Sequence, residues 1–378
     1  MRAAQPQCAR SGFAARRATS LLRAAIQVMS LLAFSVENVR SVRHAELALH
    51  PGHNLIWGSN ASGKTSLLEA VFLLGRGRSF RTRSTERLIR HGEPHLRVFG
   101  RLASEPPTPI GIEVSRKDGT VAKVGGAFVS SLAELSRAFA VQVIEPGVHK
   151  LIEEGGQRRR RWLDWAVFHV EPNFIDVWSR YARALKQRNT ALRLSPDQAS
   201  AWDPEVVRLG EQIAQLRHDF MARLQPYWAE ISRELTDLEV ELYFSQGWAA
   251  DTSLAQALVA SRDRDIARGI THAGAHRADI LVRLQKGLAR ETLSRGQQKL
   301  VAAAMTLAQL NLIRDLTGTI PTLLLDDPAA ELDRSRLARF VAQVRRLQCQ
   351  LIVTSLTPET SLFGQPDTVF HVEQGELR

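Results

Sequence analysis

The sequence predicts an α/β fold on three observations. A strand runs straight into a glycine-rich loop and a helix near the start, strand–helix alternation returns over the last third, and a long helical stretch separates the two. The first strand of that core is Asn54 to Trp57, and the helix spans Thr65 to Leu74, where Leu67, Leu68, Val71, Phe72 and Leu74 supply an apolar face. Upstream, Leu32, Phe34 and Val36 alternate as an opening strand, a polar bend covers Glu37 to His44, and Ala45 to Leu49 forms a second strand before Pro51-Gly52. The C-terminal third gives a helix over Arg295 to Arg314, a strand Thr322 to Leu325, a helix near Ser335 to Leu347, a strand Gln350 to Thr354 and a last strand Thr368 to Val372.

Between these parts the character changes twice. Short β-like stretches (Arg97 to Leu102, Ile110 to Ser115, Thr120 to Val124) are punctuated by Pro106-Pro107, Asp118-Gly119 and Gly125-Gly126, as antiparallel hairpins require. From Arg158 to about Asp237 apolar residues recur at helical spacing, through Phe174, Val177, Trp178, Tyr181 and Leu185, then Leu209, Ile213, Leu216, Phe220, Leu224, Trp228, Ile231 and Leu235. Asp203 as N-cap with Pro204 at the first helical position starts the second helix, and Ser195-Pro196-Asp197 forms the bend of a helical hairpin.

Composition bounds the function. With 378 residues and 44% hydrophobic content the chain buries one large core or two moderate ones. The net charge is +11, and part of that surplus is Arg2, Arg10, Arg16, Arg17 and Arg23, in a segment from Met1 to Val28 that carries no acid. That segment reads as an extension upstream of a fold starting at Met29, since the apolar run Leu21 to Val36 is partly used by the opening strand. The remaining basic surplus favours polyanions without naming one. Cys8 and Cys349 are too few for a disulfide framework, which points to the cytoplasm. Arg23, Gln27 and Glu37 interrupt the best candidate for a spanning helix, so no membrane partner is expected.

The chemistry sits in three motifs. Gly58-Ser59-Asn60-Ala61-Ser62-Gly63-Lys64-Thr65 fits G-x-x-x-x-G-K-[ST], where curled backbone N–H groups face phosphate oxygens. On this reading Gly58, Asn60, Ser62, Gly63, Lys64, Thr65 and Ser66 bind ATP, Lys64 reaches the β/γ-phosphates, and the Thr65 hydroxyl ligates Mg²⁺. Thr322 to Asp327 is an apolar strand ending in two carboxylates, a Walker B in which Asp326 holds Mg²⁺ and Asp327 orients the attacking water. Leu293-Ser294-Arg295-Gly296-Gln297 opens the helix that precedes this strand, with Ser294 as N-cap and Gly296 allowing close backbone approach. Ala330-Glu331-Leu332-Asp333 follows the Walker B. This order is that of ABC-type ATPases, in which the signature serine of one subunit caps the γ-phosphate held by another. The expectation is therefore a two-lobed ABC-type P-loop ATPase head with a short helical-hairpin arm. Lobe I takes residues 29–145 and 318–378, and lobe II takes 146–317. Lys64, Asp326, Asp327 and Ser294 are the catalytic candidates. Gln142 is a candidate nucleotide contact on the strand entering lobe II, and Thr354 and Ser355 stand where a switch residue would touch the γ-phosphate.

Four further segments surround these motifs: Gly77-Arg78-Ser79-Phe80-Arg81-Thr82, Arg159-Arg160-Arg161-Trp162-Leu163-Asp164, Leu185-Lys186-Gln187-Arg188-Asn189 and His276-Arg277-Ala278-Asp279. In that order they resemble the RecF family, bacterial recombination mediators related to SMC-type ATPase heads, over residues 29 to 378. The resemblance implies an ATP-dependent DNA-binding homodimer with weak ATPase activity that works with RecR and RecO to direct RecA loading at single-strand gaps beside duplex DNA. The stretch from Lys64 to Ser294 fits a short arm, being too long for a transporter nucleotide domain and too short for a long SMC coiled coil; those two remain the rival readings. Ala61 departs from the family glycine and Gly147 from a family acid; His276 is open between a functional and a structural role. Arg76, Arg78, Arg81 and Arg83, and the run Arg158 to Arg161, are the candidate DNA-phosphate contacts, with internal ion pairs as the alternative.

Overall fold

The computed structural model describes residues 27–28, 30–330, 333–358 and 363–378. A mostly parallel sheet lies at the centre, its strands ordered Glu376–Leu377, Thr368–Glu373, His53–Trp57, Leu351–Ser355, Thr322–Leu325 and Val141–Ile144. Only Glu376–Leu377 runs antiparallel to its neighbour. Thr322–Leu325 is apolar at nearly every position because both of its faces are covered. Leu323 and Leu325 enter one core while Leu324 enters another.

The first core lies between this sheet and an antiparallel one, ordered Val42–Ala48, Leu31–Val39, His95–Leu102, Thr108–Ser115, Gly119–Val124 and Ala127–Phe128. The helix Lys64–Arg76 fills the gap, burying Leu67, Leu68, Val71 and Leu74 in one cluster with Leu31, Val36 and Val98. Gln350 fastens the sheets together: its amide donates to Leu31 O (2.8 Å) and His50 O (2.9 Å), while its carbonyl accepts from Leu31 N (2.8 Å) and Thr322 Oγ1 (3.0 Å).

The second core is helical. Gly156–Val170, Phe174–Leu194, Asp203–Thr236 and Arg295–Thr317 share one apolar cluster with the other face of the parallel sheet. Asp203–Thr236, about 50 Å long at 1.5 Å per residue, packs against both Phe174–Leu194 and Arg295–Thr317. Three arginines cross this core, each with a carboxylate: Arg159 with Asp279 (2.8 and 3.0 Å), Arg217 with Asp164 (2.8 and 3.0 Å), and Arg188 with Asp203 (2.6 Å) and Asp265 (2.8 Å). Pairing with a carboxylate offsets the cost of burying each guanidinium. His276 belongs to the same lattice, its ring bonded to Tyr181 Oη (2.8 Å) and Thr271 O (3.0 Å), which is a structural role.

Several expectations shift. The opening strand carries an irregularity between Leu31 and Ala33, so Leu31 takes the fully buried position and Leu32 is only half-buried. The supposed polar bend at Glu37 to His44 shrinks to Arg40-Ser41, because its polar residues occupy strand positions beside buried Val39 and Val42. Asp203 is the first helical residue and not the N-cap, since its carboxylate is taken by Arg188. Of the residues set aside upstream of the fold, Gln27–Val28 pairs with Thr319–Ile320, and residues 1–26 lie outside the described ones.

Two half-buried histidines tie stability to pH. Burial, reinforced by Arg76 and Arg137, holds His169 at about 3, and burial holds His276 at about 4. Both folded-state values lie below the ordinary 6.5 of the unfolded chain, so below that pH the unfolded chain binds protons that the folded one refuses. Each histidine should subtract about 1.4 kcal/mol of stability per pH unit. Urea denaturation at pH 7 and pH 5 is expected to show a loss of a few kcal/mol, shallower in His169→Phe; equal stability at the two values would contradict it.

Candidate nucleotide site

The P-loop strand ends at Trp57 and the chain curls through residues 58 to 63 before Lys64 opens the helix. Gly58 must lack a side chain because a Cβ there would stand 2.2 Å from Val372 O. Gly63, at φ 116°, is the helix N-cap. Ala61 sits at φ 62°, so the position does demand the left-handed backbone that glycine adopts freely and alanine adopts at a cost of about 1 kcal/mol. The loop is pinned on both sides, by Gly58 N–H to Ser355 O (3.2 Å) and Gly375 N–H to Ser62 O (2.7 Å). Lys64 is buried, its ammonium donating to Gly58 O and Ser59 O at 2.8 Å each. Burial lowers its pKa, opposed by Asp327 and Asp326. Asn60 is exposed, Ser66 is buried beside Ser41, and the buried Ser62 Oγ has no hydrogen-bond partner.

Asp326, at the tip of the Walker B strand, meets the P-loop helix directly: the Thr65 hydroxyl donates to both its oxygens at 3.0 Å. From the adjacent strand the fully buried Thr354 hydroxyl donates to Asp326 Oδ1 (2.8 Å) and accepts the Asp327 N–H (2.9 Å). Asp327 is held at φ 47°, an uncommon conformation that turns the chain sharply at the strand end. Burial, offset by Lys64, raises its pKa. Thr354 is thus committed to positioning the two carboxylates, while Ser355 contributes its carbonyl to the loop.

Other candidates lie apart. Gln142 is buried and bonds Gln309 on the helix Arg295–Thr317 (3.1 Å). Its register partner is Leu323, short of the strand tip, so it does not stand beside the Walker B carboxylates. Glu145, just past that strand, shares a small cavity with Asp326, Asp327, Lys299 and Phe340 and is the residue that sequence reasoning missed. The signal was its place after the strand, which only the sheet register supplies. Gly147 donates to Glu145 Oε2 (2.6 Å). Arg40 and Ser41 were also missed: Arg40 forks onto Glu69, a fully buried carboxylate of the P-loop helix, from a turn that no glycine announces.

Ser294 is exposed at the N-terminus of Arg295–Thr317 and forms a capping box with Gln297, accepting its N–H at 3.4 Å while the Gln297 side chain accepts the Ser294 N–H at 3.0 Å. A Cβ on Gly296 would meet nothing within 4 Å, so the backbone there is open to approach. Ser294 is not among the residues lining the cavity at Asp326. Glu331 and Leu332 of the following motif lie outside the described residues. The basic run divides: Arg159 is paired with Asp279 and Arg160 donates to Ala278 O (2.5 Å), whereas Arg158 and Arg161 reach a cleft that Arg76, Arg78, Arg81 and Arg83 also line.

Phosphate loop, Walker B carboxylates on a central parallel sheet, and a capped signature helix define a P-loop ATPase head of the ABC type. The model of the RecF/RecN/SMC N terminal domain matches residues 30–377. A DNA replication and repair protein RecF of Marinomonas sp. (strain MWYL1) is 39% identical over 359 residues, covering 92% of this chain and 97% of its own. A solved structure described as the recombination mediator protein RecF-ATP in the RecFOR pathway superposes with TM-score 0.85 at 26% identity, covering 94% of this chain and 99% of the other. An Smc head domain with an extended coiled coil, derived from Pyrococcus furiosus, shares the fold at TM-score 0.56 and 15% identity, covering 92% and 95%. The chain belongs to the RecF family.

Two outcomes test the geometry. Thr354→Val removes a donor from Asp326 and strands the Asp327 N–H, and should cost about 1–3 kcal/mol in chemical denaturation with hydrolysis of nucleoside triphosphate reduced about tenfold or more. Ala61→Gly should relieve the strained φ and raise folding stability by up to about 1 kcal/mol; a lower midpoint in urea denaturation would contradict it.

Proposed function

We propose that the chain is an ATP-dependent DNA-binding protein of recombinational repair and replication-gap processing. ATP drives two copies face to face, slow hydrolysis separates them, and the assembly works with RecR and RecO to load RecA at single-strand/duplex junctions in the cytoplasm. The observation that carries this reading is Ser294: exposed, capping a buried helix and outside its own Walker B cavity, it suits a γ-phosphate held by another copy. The likeness of the fold to RecF-ATP supports the nucleotide, and the RecFOR wording attached to that relative supports the partners.

The residues fit Mg²⁺ as well. Thr65 Oγ1 and the Asp326 carboxylate are hard oxygen donors converging at 3.0 Å, the protein share of a site that phosphates and waters complete. When bound, the ion neutralises charge on the β- and γ-phosphate oxygens. The loop N–H groups and the partnerless Ser62 hydroxyl orient the phosphates, Lys64 exchanges its loop carbonyls for phosphate oxygens, and Asp327 orients the attacking water and takes its proton. Ser294 of the second copy donates to the γ-phosphate.

With ATP present, the native protein is expected to shift to dimers in light scattering, and Lys64→Arg to remain monomeric. A Lys64→Arg sample that dimerises normally would remove the role assigned to that lysine. Ser294→Arg should keep ATP binding within about threefold yet lose the dimer; an ATP-dependent dimer surviving in that variant would reject the cross-subunit contact.

A further inference from the structure

Two basic stretches far apart in sequence, Arg76 to Arg83 after the P-loop helix and Arg158 to Arg161 on Gly156–Val170, wall a single cleft of about 840 Å³. Six arginines line it against two glutamates. Both acids are occupied: Glu154 accepts from Arg158 (2.7 Å), and Glu145 accepts the Gly147 N–H while facing Lys299. Arg81 lies 4.0 Å from the buried Glu69, and Arg83 faces Glu154. Among the described residues, Arg76, Arg78 and Arg161 have neither a carboxylate partner nor a hydrogen-bond acceptor.

Arg76 is the decisive member. Its guanidinium lies 4.7 Å from the Trp165 ring and 5.4 Å from the Phe72 ring, and its Nη1 is buried with nothing to bond. Arg159, Arg188 and Arg217 in the helical core each have an acid; Arg76 has aromatic faces and like charge nearby. Burial, then Arg78, pushes its pKa well below the usual range, and burial, then Arg161, lowers that of Arg78. Trp162, whose Nε1 can only donate and is also unpartnered, lines the same cleft. Arg76 Nη1 and Trp162 Nε1, buried and unpartnered, are costly by themselves, and an anion with several acceptor oxygens relieves them and the like charge around them.

We propose that this cleft is a second phosphate site, separate from the P-loop, that grips the backbone of a single nucleic-acid strand through Arg76, Arg78 and Arg161. The proposal rests on the DNA-binding reading above and adds where one strand goes. The volume is that of a small-molecule pocket, about 300–1,000 Å³, which admits a few nucleotides and not a double helix. The helix Lys64–Arg76 has the ATP loop at one end and Arg76 at the other, about 20 Å away, so both phosphate sites are mounted on one element.

The test uses the full chain saturated with ATP, a fluorescein-labelled hexathymidylate and a blunt hairpin duplex, comparing native protein with Arg78→Glu/Arg161→Glu and Arg78→Lys/Arg161→Lys. Arg161 is exposed and Arg78 half-buried, and thermal melts and ATP binding check each fold. The Glu pair should weaken hexathymidylate binding about tenfold or more and flatten its salt dependence by about 1.4 in log–log slope. The Lys pair should retain most of the affinity, and duplex binding should change much less. Unchanged hexathymidylate binding in the Glu pair overturns the proposal, as does a second ATP per native chain that the Glu pair loses, which would assign the cleft to free nucleotide. A native protein that binds neither DNA fails the parent reading instead.

Discussion

The carboxylate of Asp326 is the point on which the head is organised. It joins the P-loop helix through Thr65 and the neighbouring strand through Thr354, and the residue's own backbone N–H donates to Ile144 O (3.1 Å) on the strand beyond. Three elements distant in sequence are thereby held in one register. A parallel sheet brings its strand ends to a common edge, and that edge is where such a hub can form. The left-handed backbone at Asp327 follows from the same constraint, because the chain must leave the strand immediately while its N–H stays on Thr354.

Electrostatics divides the molecule. In the helical core Arg159, Arg188 and Arg217 are each matched by carboxylates brought from remote segments, so they act as fixed cross-links with little freedom to meet a ligand. In the cleft at the far end of the P-loop helix the matching is incomplete: Arg81 and Arg158 lie near Glu69 and Glu154, while Arg76, Arg78 and Arg161 have no carboxylate partner among the described residues. Neighbours in one run, Arg159 and Arg161, consequently have opposite fates, one bound to Asp279 and the other facing the cleft.

What the sequence disclosed and what it hid have physical causes. The strand Thr322–Leu325, the loop at residues 58 to 65 and the cap at Ser294 were legible because their signals are local: an apolar run, a glycine spacing, a serine three positions before glutamine. The Arg159–Asp279 and Arg217–Asp164 pairs were not, since each joins segments remote in sequence and pattern says nothing of partners so distant. Gln142 was a candidate nucleotide contact from its place on the strand entering lobe II, but its amide bonds Gln309 inside the core, and only the pairing of Ile144 with Leu325 shows that Glu145 is the residue past the tip. Asp203 failed as a cap for a similar reason: a cap is a local contact, and the Arg188 guanidinium, arriving from another helix, is the stronger partner for its carboxylate.

The capping box at Ser294 divides the labour of one oxygen. A lone pair is given to the Gln297 N–H, which leaves the hydroxyl proton uncommitted by that bond. An aspartate would cap the helix equally well, yet it would bring no proton to donate and a charge that repels phosphate. Helix stability alone therefore does not distinguish these two residues at this position; what sets serine apart is the proton it can still offer to a group outside the helix.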